Sequence, residues 1–318
     1  MGGDRKIVVA HRGASGYLPE HTLPAKAMAY GMGADYLEQD VVLTKDDQVV
    51  VLHDIHLDTV TNVAEVFPSR ARPDGRYYAI DFELSEIQQL RVTERIDLET
   101  KSAVYAERFP IWKSVFRVPT LAEEIELIQG LNKSTGRNVG IYTEIKSPAW
   151  HRQQGKDLSL SVLRILDRYG YRDKSDNAYL QCFDAAETRR LRDELQTKLK
   201  LVQLIGENDW NESPTDFNEL RTAAGLEQLA RYADAIGPWM PHVVQGVDDQ
   251  GKLVFTPLVK QAHAAGLLVH PYTLRADDLP EYARDFDHLL HIFFHEADVD
   301  GIFTDFPDRA VEYLRNSI

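Results

Sequence analysis

The chain reads as an α/β protein of the TIM (β/α)8 barrel class, with a small inserted subdomain after the hairpin of its second strand. Three observations predict this. Eight short apolar or β-branched runs recur along 318 residues. Most are separated by stretches with the 3.6-residue period of helices that cover a sheet. The length exceeds the ~250 residues of a typical barrel by a few dozen, which leaves room for an extra segment.

The runs are IVVA (7–10), DYLEQDVVL (35–43), VGIYTEI (139–145), AYLQCF (178–183), LKLVQLI (199–205), DAIG (234–237), GLLVHPYT (266–273) and GIFTDF (301–306). Strands alternating with helices pair in parallel. A doubly wound sheet also fits the alternation, but an open sheet of eight with this regularity is less common. The first helix carries Pro24 in its opening turn and closes toward Gly31 or Gly33. Helical periods follow at 158–170, 185–199 and 256–266, and Thr120-x-x-Glu123 is a capping box for another helix.

One further apolar run, VVVL (49–52), follows the second strand after Lys45-Asp46-Asp47-Gln48. It reads as a hairpin return. With Asp46-Asp47 as a two-residue loop, His53 falls opposite Asp40, beside Glu38 at the barrel mouth. Residues 55–118 break the repeat. They are rich in Pro, Arg and aromatics, with one short helix signal at Ser85-x-x-Gln88. They are expected to form the inserted subdomain over the mouth, leaving 1–54 and 119–318 as the barrel domain. The stretch 206–226 is expected to be a long functional loop.

Composition narrows the function classes. The apolar share of 43% suits a protein with a full core, and the net charge of −14 argues against nucleic acid and anionic membranes. A phosphate ester could enter such a field only against local cations. The single cysteine, Cys182, excludes an internal disulfide and reads as a buried, inert thiol. No run of about 18 apolar residues is present. The N-terminus reaches a predicted strand within six residues and shows no apolar leader. Either the protein is cytoplasmic, or the chain was cut and Met1-Gly2-Gly3 is a remnant.

The chemistry sits at strand ends. Glu38 and Asp40 are two apart in a strand, so both point to one face. Carboxylates facing a packed interior repel unless they share a proton or bind a cation. Glu144 ends the next barrel strand, and the three together make a hard oxygen site for one divalent cation, Ca²⁺ or Mg²⁺. The alternative for each alone is a structural ion pair with Lys or Arg. His11 follows the first strand directly, and with His53 it offers a pair of imidazoles for acid–base work near neutrality. Arg12 supplies a fork for phosphate oxygens, Gly13 lets backbone approach a ligand, and Lys146 can neutralise charge on a phosphoryl group. His270 and Asp305 end the seventh and eighth strands and read equally as supporting or structural. Phe183, Trp239 and Tyr272 are candidates to line the pocket, Glu20 and His21 to shape its mouth. His263, His288, His291 and His295 read as surface or packing residues.

These residues carry a resemblance. HRG (11–13), PEHT (19–22), GADYLEQDV (33–41), TKDD (44–47), VVVLHD (49–54), PTL (119–121), EIK (144–146) and FTDFP (303–307) stand in the order and strand contexts of the glycerophosphodiester phosphodiesterases. With RPDGRYYAIDF (72–82), the chain most resembles the larger periplasmic bacterial branch. His21 stands where the wider family usually has Asn, a departure shared by that branch. The resemblance implies a TIM barrel with an inserted subdomain, one divalent cation with Ca²⁺ ahead of Mg²⁺, and a periplasmic location. It implies hydrolysis of glycerophosphodiesters to sn-glycerol 3-phosphate and an alcohol. Carried over by position, His11 and His53 are the acid–base pair, Glu38, Asp40 and Glu144 the metal ligands, and Arg12 and Lys146 the phosphate clamp. The competing readings are a barrel lyase or aldolase using Lys146 as Schiff-base amine, and a non-catalytic binding protein on the same fold.

Overall fold

The strand–helix alternation closes on itself. A computed structural model describes residues 5–317; Met1-Gly2-Gly3, read above as a remnant, lies outside the described residues. The strands are β1 (Ile7–Ala10), β2 (Tyr36–Leu43), β3 (Val49–Val51), β4 (Gly140–Ile145), β5 (Ala178–Cys182), β6 (Lys200–Ile205), β7 (Ala235–Pro238), β8 (Val244–Val247), β9 (Leu253–Phe255), β10 (Leu268–Val269) and β11 (Gly301–Thr304). Eight of them form one sheet in the order β10-β7-β6-β5-β4-β2-β1-β11, with every neighbouring pair parallel. The ends of that order approach each other. Asp300 N–H donates to Val269 O at 3.0 Å, and Leu274 N–H to Phe303 O at 2.8 Å. The result is a nearly closed barrel of eight parallel strands.

Side-chain alternation divides the apolar residues between two layers. Outward positions such as Leu37, Val41, Ile141, Ile145, Leu180 and Leu201 pack against the surrounding helices. Inward positions place Val9, Tyr36, Tyr142, Tyr179, Val202 and Phe303 in the barrel interior. The helix Leu23–Met32 is capped by Thr22, whose hydroxyl accepts from Ala25 N–H, and ends at Gly33 with φ 98°. The Thr120/Glu123 capping box forms as expected at the start of Leu121–Thr135.

The hairpin differs from its expected register by one residue. Val41 pairs with Val51 and Leu43 with Val49, which places Leu52 rather than His53 opposite Asp40. The cause is a three-residue loop, 45–47, in which Asp47 takes a left-handed φ of 61°. Because Val41 pairs with Ile145 on its other edge, β3 lies on the edge that β1 vacates when the chain turns off at His11.

Residues 55–118 contain the short helices Val63–Val66 and Leu84–Ile87, joined by irregular chain. The second is capped by Glu83 with Glu86, not by Ser85. Phe82, Ile87 and Leu90 of this segment, with Leu57 and Val60, cluster on Val42, Val50 and Leu52 of the hairpin. The seventh barrel strand is shorter than the run GLLVHPYT, because Pro238 on the facing β7 strand has no N–H to continue the ladder, although Tyr272 N–H still donates to Pro238 O at 3.1 Å. The stretch 206–226 is not one open loop. It holds a 3₁₀ turn at Asn208–Trp210 and short helices at Phe217–Leu220 and Ala223–Leu229. The β8–β9 hairpin lies outside the expected alternation, although Asp-Asp-Gln-Gly between VVQGV and KLVF is its turn signal.

Candidate active site

The alternation that turns Tyr36 and Tyr142 inward also turns in Glu38, Asp40 and Glu144, further toward the C-terminal ends. Asp40 pairs with Glu144 across β2 and β4. One oxygen from each of the three carboxylates lies within 4.8 Å of the others, and all three residues are buried. Burial, then Asp40, pushes Glu38 up to about 8; burial also holds Glu144 well above its usual value. Burial would raise Asp40 too, but His21, His53 and Lys146 together outweigh it and keep this carboxyl well below the usual range. Oδ1 of Asp40 is buried without a hydrogen-bond partner. An orphaned anionic oxygen inside an all-oxygen cluster fits a hard divalent cation.

His11 and His53 are each oriented by an aspartate. The β1–β11 register pairs Ala10 with Thr304, which brings the following residues together. Nδ1 of His11 lies 2.6 Å from Oδ1 of Asp305. Nδ1 of His53 lies 2.6 Å from Oδ1 of Asp54. Burial opposes ionisation of Asp305 and Asp54, but Arg275 with His11, and His53 with Arg95, hold them well below the usual range. An ionised carboxylate only accepts, so Nδ1 carries the proton and Nε2 is left for the pocket. Burial pulls both imidazoles down to about 4. They are neutral near pH 7. On their Nε2 sides, His11 faces Oε2 of Glu38 at 3.8 Å and His53 faces Nζ of Lys146 at 3.4 Å.

Arg12 has φ 57°, and its N–H donates to Oε2 of Glu38 at 2.8 Å. Its fork is partly engaged: Nη1 donates to Glu20 at 2.9 Å, while buried Nε has no hydrogen-bond partner. Gly13 serves a different end from the one expected. At φ +87°, a Cβ there would stand 2.9 Å from the Ala25 carbonyl carbon, so glycine is required by the loop's packing on the following helix. His21, expected to shape the mouth, is buried against Asp40, with Nε2 2.8 Å from Oδ2. Glu20 bridges Arg12 and Arg95. His270 lies in the interior with Nδ1 2.9 Å from the Tyr142 hydroxyl.

A cavity of about 230 Å³ opens over these groups, lined by His11, Arg12, Glu38, His53 and Glu144. Asp40 and Lys146 stand behind that lining, 1% and 5% exposed. Phe183, Trp239 and Tyr272 line the cavity as expected, and Trp210 joins them. Sequence reasoning passed over Trp210, Asp54, Gln181, Arg275 and Lys26. Gln181 donates to Oε1 of Glu38 at 2.9 Å, and strand alternation in AYLQCF points it inward. Lys26 is wholly buried between Glu124 and the Glu38 carbonyl, with only a helical position to announce it. Cys182 faces the outer layer, and burial pushes its thiol well up.

Comparison with known proteins points to one family. Residues 11–309 match the Glycerophosphoryl diester phosphodiesterase family. The chain is 46% identical to a glycerophosphodiester phosphodiesterase of Haemophilus influenzae, over 98% of this chain and 90% of that one. It is 40% identical to one of Treponema pallidum, over 97% and 92%. In fold it is similar to a crystal structure of a putative glycerophosphoryl diester phosphodiesterase from Silicibacter pomeroyi, with TM-score 0.73, 24% identity and coverage of 99% and 95%. The chain belongs to the glycerophosphoryl diester phosphodiesterase family.

Proposed function

We propose that the protein hydrolyses small glycerophosphodiesters to sn-glycerol 3-phosphate and an alcohol, with Glu38, Asp40 and Glu144 holding one divalent cation and His11 and His53 moving protons. The observation that carries this reading is the convergence of Glu38, Glu144 and two aspartate-oriented imidazoles on one cavity, with Asp40 completing the carboxylate cluster behind them. When bound, the cation supplies Lewis-acid polarisation of the phosphoryl oxygens. Three carboxylates from two strands favour Ca²⁺ over Mg²⁺, which usually takes one or two carboxylates and keeps more of its water.

Arg12 and Lys146 provide the remaining positive charge against the developing phosphorane. His11 accepts a proton at Nε2 from water or from the glycerol hydroxyl beside the ester. His53 takes up a proton as the anionic phosphodiester binds beside it and gives that proton to the leaving alcohol. The aromatic wall of Phe183, Trp210, Trp239 and Tyr272 shelters the alcohol portion from water. Among the described residues no helix is long and apolar enough to cross a membrane; the periplasm is the compartment the resemblance implies, and fractionation of the source cells tests it. Turnover of glycerophosphocholine by the wild type and its loss in both His11→Ala and His53→Ala, with calcium affinity retained, tests the reaction. Retained turnover in either variant refutes the assignment.

A further inference from the structure

The irregular segment 55–118 sends two arginines into the barrel site, and each meets the carboxylate that holds one of the imidazoles. Nη1 of Arg95 donates to Oδ2 of Asp54 at 2.7 Å, while its Nε and Nη2 take both oxygens of Glu20 at 3.1 and 2.6 Å. Asp54 turns its other oxygen to His53. Nη2 of Arg108 donates to Oδ2 of Asp305 at 2.7 Å, and its Nε holds Asp277 at 2.8 Å. Asp305 likewise turns its other oxygen to His11. The two Arg–Asp–His chains are built alike.

We propose that segment 55–118 is the positioning element of the site, with Arg95 orienting His53 through Asp54 and Arg108 orienting His11 through Asp305. A guanidinium keeps its fork geometry, and Arg95 and Arg108 are themselves gripped through two oxygens by Glu20 and Asp277, so the one N–H that each gives its aspartate holds that carboxylate oxygen in place. The imidazole on the other oxygen inherits that orientation and its tautomer. Arg108 is itself held flat, with its guanidinium 3.7 Å from the Tyr105 ring centroid of the same segment. The two chains differ in one respect. Asp305 also accepts from Nε of Arg275, after the seventh barrel strand, at 2.7 Å. Among the described residues, the only other side chain bonded to Asp54 is Thr59, at 2.9 Å and within the segment. Loss of Arg95 therefore loosens His53 more than loss of Arg108 loosens His11.

The catalytic part of this inference rests on the reaction proposed above, so the test has an arm that needs no turnover. In protein saturated with calcium and labelled with ¹⁵N-histidine, the Nδ1–H resonances of His11 and His53 are assigned by their loss in His11→Ala and His53→Ala. Arg95→Met is expected to shift or broaden the His53 resonance and leave that of His11 in place; Arg108→Met is expected to do the reverse. Asp277→Asn and Arg95→Lys are the milder pair if a methionine variant does not fold: the first frees Arg108 without touching Asp305, and a lysine cannot span Asp54 and Glu20 together. With glycerophosphocholine, kcat is expected to fall about 100-fold in Arg95→Met and about 10-fold in Arg108→Met, with KM within about threefold of wild type. Resonances that move together in each variant, or do not move, overturn the proposal. A wild type that does not cleave the diester would refute the reaction while leaving the resonance arm readable.

Discussion

Nζ of Lys146, just past the end of β4, lies 2.8 Å from Oε1 of Glu144, two residues earlier. Burial by itself would lower this ammonium, but Glu144 and Asp40 outweigh it and hold Lys146 above its ordinary value. A Schiff-base lysine needs the opposite: a desolvated amine without an ionic partner. The aldolase or lyase reading therefore has no nucleophile at this position. Borohydride reduction with carbonyl substrates is expected to trap no adduct on Lys146. Lys146→Met is expected to lower kcat about 100-fold with a smaller loss of stability in calcium; turnover equal to wild type would make the residue purely structural.

Without a cation, burial and then the neighbouring carboxylates disfavour the ionised forms of Glu38 and Glu144, while Asp40 keeps an unpartnered oxygen. Chelation by EDTA is expected to abolish turnover, and calcium to restore it and raise the melting temperature. Glu38→Gln and Asp40→Asn are expected to weaken calcium binding at least about 10-fold by calorimetry, and activity with it. A metal-free variant with normal turnover would refute the cation site.

Glu94, buried in the segment 55–118 with Oε2 unpartnered, gives a stability prediction independent of the cation. Burial first, then the charge of Glu20, raises it from 4.5 to about 8. Its folded value exceeds its unfolded one, so its contribution is most favourable below about pH 4.5 and is lost as pH rises toward 8. Glu94→Gln is expected to stabilise the protein at pH 8 by on the order of 2–4 kcal/mol and to change little at pH 4.5. Urea melts at the two pH values read the difference; equal effects at both would show that Glu94 is not held neutral by burial.

The barrel was legible because each strand and its covering helix advertise themselves locally, through apolar runs and 3.6-residue periods. The core of the site was legible for the same reason. Glu38, Asp40, Glu144 and His11 sit on or just past barrel strands whose alternation fixes their direction. What escaped depends on contacts distant in sequence or on turn geometry. The hairpin register turned on one residue, Asp47, adopting a left-handed conformation. Arg95 and Arg108 come from chain without periodicity, and the pairing of Arg108 with Asp305 spans 197 positions. Trp210 reaches the cavity from a single 3₁₀ turn inside a polar stretch. No local pattern encodes such meetings.

The central claim is that one cation and one phosphate meet between these carboxylates and the two imidazoles. A crystal structure of the protein with calcium and glycerol 3-phosphate measures it directly. The expected result is calcium on Glu38, Asp40 and Glu144, with the phosphate against Arg12 and within reach of Nε2 of both His11 and His53. Calcium bound elsewhere, or a phosphate touching neither histidine, would contradict the account.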